Sequence, residues 1–263
     1  MSKINTISRA DSGNNCLGIA LNDSFIYSED TPTGEHFEKF IECIEESGSP
    51  ENWVGGKVVQ WWEWVSERID KQIPAVDLSH EIFREPLTRD SLKQLCQNTD
   101  ISDGTCTVAI LAWGGQRRNH GVTTFQQFEH IQPIIRSMRE KEVTTLEAYS
   151  KFHNLWVNKI IKGLGAAFFT KLIFFCEPSH TGFIMDQWTA KSVNLIANER
   201  FIQLSAQGYV TNQNTPDTYH RFCLAIDQIG SIIEKSGEEV EMNLFSGGGR
   251  NPMCWRKYVR EVY

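Results

Sequence analysis

The chain has 263 residues, 40% of them hydrophobic and 22% charged, and its 33 acidic against 26 basic residues give a formal net charge of −7. That length supports one large domain or two small lobes with a substantial core. The negative balance excludes tight, salt-resistant nucleic-acid binding unless basic residues gather locally.

The first 149 residues hold 14 basic against 23 acidic residues, and the rest hold 12 against 10, so the acidity belongs to the front of the chain. Residues 1–34 are rich in Ser, Asn, Asp, Thr and Gly and read as loops with short strands at 16–20 and 25–27. An acidic helix is predicted over 36–47, followed by a helix over 58–65 whose Trp61, Trp62 and Trp64 serve core or lobe-interface packing rather than base stacking. Residues 87–97 give another helix. Then comes a buried run from Thr107 to Trp113, followed by the polar, Gly-framed, exposed loop Gly114-Gly115-Gln116-Arg117-Arg118-Asn119-His120-Gly121.

From 145 to 161 the apolar residues Leu146, Tyr149, Phe152, Trp156, Ile160 and Ile161 recur at helical spacing. The helix must end at Lys162-Gly163-Leu164-Gly165, since two glycines allow a tight, partly left-handed turn. A second apolar helix runs from Ala166 to Cys176, and Pro178 closes it. The free N–H groups and positive dipole end at its start suit a phosphate, with Lys162 adding charge. The same turn is equally compatible with a plain αα-hairpin. After the loop 177–182, Phe183-Ile184-Met185 leads into a helix opened by Asp186, which either caps that helix, performs chemistry, or does both.

Further on, 218–235 is an amphipathic helix, 239–245 a short element, and 246–252 a glycine-rich loop without the Lys-Ser/Thr ending of a phosphate loop. Arg256, Lys257 and Arg260 give a small basic end, suited to a backbone or simply to the surface. The seven cysteines show no CxxC, zinc or iron–sulfur spacing. With no signal-like segment and no membrane-length apolar run, the sequence reads as a cytoplasmic protein with reduced thiols, no metal and no membrane partner.

The helix, the Gly163-Leu164-Gly165 hairpin, the second helix and a later helix opened by Asp186 resemble the helix-hairpin-helix DNA glycosylase superfamily. Within it the similarity is nearest to stand-alone bacterial 8-oxoguanine DNA glycosylase-fold proteins. The resemblance implies a mainly α, two-lobed fold without a complete N-terminal antiparallel sheet domain. Residues 1–74 would form an acidic segment packed on a core of 75–263, with the hairpin at 146–176. It also implies phosphate contact by Lys162, Gly163, Leu164, Gly165 and Ala166, with room for a monovalent cation at the hairpin and no other cofactor. Gln116 or Asn119 would be the wedge that fills the place of an everted base, and Arg117, Arg118 and His120 would contact the opposite strand. Trp113, His180, Trp188 and Phe245 are candidates for the base pocket.

One departure bears on chemistry. Bifunctional members carry a lysine nucleophile two places after the second hairpin glycine, and here that place is Ala167. Lys171 lies one turn further along the same helix face. It is either a relocated Schiff-base nucleophile, favoured by apolar neighbours, or a lysine whose stem lies on apolar surface while its head reaches water. The expected activity is base excision from double-stranded DNA at an oxidised or otherwise modified purine, with strand cleavage if Lys171 attacks. Two alternatives stand beside it: an inactive sensor of modified nucleic acid or nucleobase in an anti-phage system, and a protein-binding subunit that uses the acidic front helices.

Overall fold

The computed structural model describes residues 34–47, 54–70, 76–179, 181–247 and 252–263; the strands expected at 16–20 and 25–27 lie outside them. Among the described residues twelve α-helices follow in order: α1 Glu35–Ser47, α2 Val58–Ser66, α3 Arg89–Gln97, α4 Asp103–Trp113, α5 Arg118–Phe125, α6 Phe128–Arg139, α7 Thr145–Val157, α8 Ala166–Cys176, α9 Gln187–Ile196, α10 Pro216–Ile233, α11 Gly237–Phe245 and α12 Cys254–Val262. Among the described residues the β pairing is a single antiparallel bridge, Leu204 to Val210, with no sheet domain.

The helices form two lobes. In one, α4 and α8 are buried on nearly every face and pack on each other, while α2, α3, α5, α6 and α7 surround them. A helix apolar all round belongs at a lobe centre, where no face meets water. The other lobe assembles α1 with α9, α10, α11 and α12, so the chain returns its front helix to the back of the molecule. The lobes meet where α7 packs on α10. There the Tyr149 and Tyr219 rings stack with centroids 4.2 Å apart, and their hydroxyls donate to Asn214 O (2.8 Å) and Phe183 O (3.0 Å).

Several boundaries differ from the sequence reading. The helix expected to run to 161 ends at Val157. Asn158 Nδ2 bonds back to Asn154, and Lys159 turns left-handed (φ 59°), leaving Ile160 exposed and Ile161 buried. The expected loop 114–121 is only a Gly114-Gly115-Gln116 turn, because α5 starts at Arg118 with Arg117 as its N-cap residue. The three tryptophans divide. Trp61 is buried and donates to Gln116 O at 2.7 Å, Trp62 packs edge-on against Phe125, and the Trp64 ring carries the Arg68 and Arg118 guanidiniums. The thiols are not all reduced either, since Cys43 of α1 and Cys254 of α12 form a disulfide. Their 211-residue separation hid the pairing, which only the return of α1 onto α12 creates.

Candidate active site

The hairpin is held rigidly. Gly163 has φ +76°, and a Cβ there would come within 2.7 Å of His120 O, so only glycine fits where the turn presses on the first turn of α5. Gln116 Nε2 donates to Gly163 O (2.9 Å) and to Thr124 Oγ1 (3.2 Å), and Lys162 N–H donates to Gln127 Oε1 (2.8 Å). Leu164 is buried beneath the turn. Gly165, the N-cap residue of α8, supplies no side-chain cap, which leaves first-turn N–H groups for an external acceptor. Of the five residues assigned to a phosphate, Lys162 offers its exposed side chain while its N–H is occupied; Leu164 and Ala166 offer backbone only.

Gln116 is not a wedge. It is 2% exposed, and its amide braces the hairpin from inside the lobe. Arg117, Arg118, Asn119 and His120 are exposed side by side at the start of α5, directly against the hairpin. Replacing Gly163 by Ala should therefore destabilise the protein by about 1–2 kcal/mol for the left-handed backbone, plus the clash with His120, and thermal melting reads it.

Asp186 is fixed at the mouth of α9. Its Oδ1 accepts from Trp188 N (2.7 Å) and Thr189 N (3.2 Å), and Thr189 Oγ1 returns a bond to Ile184 O (2.7 Å). Thr170 Oγ1 accepts from Met185 N (3.1 Å), which ties the segment before Asp186 to α8. Capping thus leaves Oδ2 to face Lys171 Nζ at 4.0 Å.

Lys171 is 7% exposed, so its head does not reach bulk water. It bends back along α8, as helical side chains do, and donates to Ala167 O at 2.8 Å. The amine therefore sits one turn towards the hairpin from its own Cα. Burial pushes its pKa below the ordinary lysine value, and the Asp186 carboxylate opposes that shift. Gly114 makes room for the stem, because a Cβ there would lie 2.8 Å from Lys171 Cδ.

Both side chains line one recess with about 90 Å³ of interior space, together with Arg89, Trp113, Ile184, Glu241, Met242 and Phe245. Trp113 and Phe245, two of the base-pocket candidates, line this same recess. Trp188 lies beside Phe245, linked to it through the Arg256 guanidinium, and His180 is outside the described residues. Sequence reasoning missed Arg89 and Glu241. Glu241 is 2% exposed and ion-paired with Arg89 of α3 across the lobes, while Glu238 pairs with Arg89 and Lys93. Burial raises the Glu241 pKa and Arg89 counters it. The available sign was a lone acid between the buried Val240 and Leu244 of α11. Arg256, placed in a basic tail by the sequence, is buried instead, and its pKa is pushed down to about 10 by that burial.

Residues 54–245 match the family described as "Putative 8-oxoguanine DNA glycosylase OGG-like protein". The chain belongs to this OGG-like family. Its two all-helical lobes, hairpin and Asp186-capped helix are those of the helix-hairpin-helix glycosylase superfamily. No curated protein and no solved structure matches the chain. Among the described residues, no group of three or more His, Cys, Asp and Glu side chains could hold a metal ion, and no helix is long and apolar enough to cross a membrane. In this OGG-like chain Lys171 Nζ lies against the backbone carbonyl of Ala167, two places after the second hairpin glycine.

Proposed function

We propose that this OGG-like protein excises an oxidised or otherwise modified purine everted from duplex DNA, with Lys171 as the amine nucleophile and Asp186 as its electrostatic partner. The observation that carries the reading is the recess in which Lys171 Nζ and Asp186 Oδ2 stand 4.0 Å apart. Neutral Lys171 would attack C1′ while the glycosidic bond breaks and its electron pair leaves with the base, which takes up a proton. Asp186 would stabilise the positive charge that develops on the sugar. Loss of a proton from nitrogen and opening of the sugar ring then give a Schiff base, and elimination of the 3′ phosphate cleaves the strand. If water attacks instead, the product is an intact strand with an abasic site.

Exposed Asn119, as wedge, and Arg117, Arg118 and His120, as contacts to the orphaned partner base, would accompany eversion, and the hairpin N–H groups with Lys162 would hold the backbone. The alternative, a sensor that binds without excision, draws on Ala167 and the acidic balance of the chain.

The test uses duplexes containing 8-oxoguanine or other oxidised purines, treated with alkali to reveal abasic sites. Native protein is expected to give strand breaks, and Asp186→Asn, which retains the helix cap, to lower their rate by roughly 10²–10³-fold, the scale of losing one electrostatic stabiliser. Binding of a modified duplex without base release by the native protein would replace this reading with the sensor.

A further inference from the structure

Leading out of the recess is a run of cations alternating with aromatic rings that the proposed chemistry does not use. The Arg256 guanidinium lies 4.3 Å from the Phe245 ring centroid and 4.6 Å from that of Trp188. Arg260 also sits over Trp188, at 5.3 Å. Lys191 Nζ is 5.1 Å from Trp188 and 5.4 Å from Tyr263, and Arg200 is 5.2 Å from Tyr263. Phe245 lines the recess at one end; at the other, Lys191, Arg200 and Tyr263 border a shallow groove floored by the segment from Ile202 to Gly208.

Among the described residues none of these four cations has a carboxylate within ion-pair distance, whereas Arg89, Lys93, Arg139 and Arg221 all do. What sets this line apart, in a chain of net charge −7, is that every cation in it lies over an aromatic ring beside the candidate active site. The rings are not free to stack on bases, because cations lie over Trp188 and Tyr263. Their effect is to hold extended side chains in place by cation–π attraction, which lowers the ordering cost of a multipoint electrostatic contact. Buried Arg256 bonds to Phe245 O and anchors the run, leaving exposed Arg200 and Arg260 and half-buried Lys191 to face a partner.

We infer that Lys191, Arg200 and Arg260 form a second backbone track, separate from the hairpin, that binds consecutive phosphates of the strand carrying the everted nucleotide. This rests on the reading of the recess as a base pocket, since it takes the partner to be the strand entering that pocket. A row of cations held by rings fits an extended polyanion.

The experiment titrates a duplex containing one non-cleavable tetrahydrofuran abasic site by fluorescence anisotropy, from about 50 to 200 mM salt, a range over which phosphate contacts dominate. Each lost contact should reduce the slope of log affinity against log salt by about 0.9. Lys191→Gln with Arg200→Gln is therefore expected to flatten the slope by about 1.8, while a charge-matched pair outside the track, Lys151→Gln with Arg136→Gln, leaves it at the native value. Excision of modified purines is measured in parallel. A native slope in the track variant overturns the track, and if excision persists, the glycosylase reading stands without it. A flattened slope with no excision by the native protein keeps the track and removes the glycosylase. No salt-dependent binding by the native protein overturns both.

Discussion

Lys171→Ala is expected to abolish the borohydride-trapped adduct with an abasic-site duplex, a loss on the order of 10⁴-fold or more, as deletion of a covalent nucleophile causes elsewhere. Lys171→Arg is expected to give no adduct either, although it keeps the positive charge beside Asp186 and hence the duplex affinity. That pair of variants separates a nucleophile from a structural cation. The pH dependence gives a second reading. Because burial depresses the Lys171 pKa, the neutral amine gains population below the ordinary value of 10.5, so trapping should rise with pH and level off before that value. Asp186 raises the same pKa, so Asp186→Asn should move the midpoint further down even as it slows the reaction. Retained trapping in Lys171→Ala would assign the adduct to another amine.

The second large effect concerns stability. Arg89→Ala leaves Glu241, 2% exposed, without its main counter-charge and reduces the ionic link from α3 to α11 across the two lobes to the Lys93–Glu238 pair. Breaking one side of such a buried pair costs about 3–5 kcal/mol, which corresponds to a melting temperature lower by roughly 10 °C for a chain of this size. The sign of the pH dependence follows from the raised pKa of Glu241. Above its folded-state pKa the unpaired carboxylate must be buried as a charge or must take up a proton, so the deficit is greatest at neutral and alkaline pH. It shrinks as pH falls through that pKa, where folded Glu241 binds a proton more readily than the unfolded chain does. Arg89→Met combined with Glu241→Leu should recover most of the loss, because two apolar side chains remove both charges together. Equal melting temperatures for Arg89→Ala and the native protein at pH 7 would show that the pair adds nothing to stability.

Sequence by itself determined the parts that depend on local chemistry. Periodic apolar residues marked most of the helices, though not α5 or α6, and α8 was placed at Ala166–Cys176 because of the glycines before it and the proline after it. Asp186 was legible as a helix opener for the same reason. Lys171 became a candidate through the resemblance, which implies a lysine where Ala167 stands, since positions four apart share a helix face. Gln116 misled, since an amide in a polar, glycine-framed stretch looks like surface. Only the approach of α5 to the hairpin turned it inward onto Gly163. The tertiary structure alone decided which distant charges meet. Arg89 and Glu241 are 152 residues apart, and Cys43 and Cys254 are 211 apart. No local pattern encodes such a meeting, because it follows from how two lobes close and from where the chain returns α1 onto α12. The ring-held cations show the same division. Each was visible as a lone charge, but their order as a track exists only once α9, the segment after it and α12 share one surface.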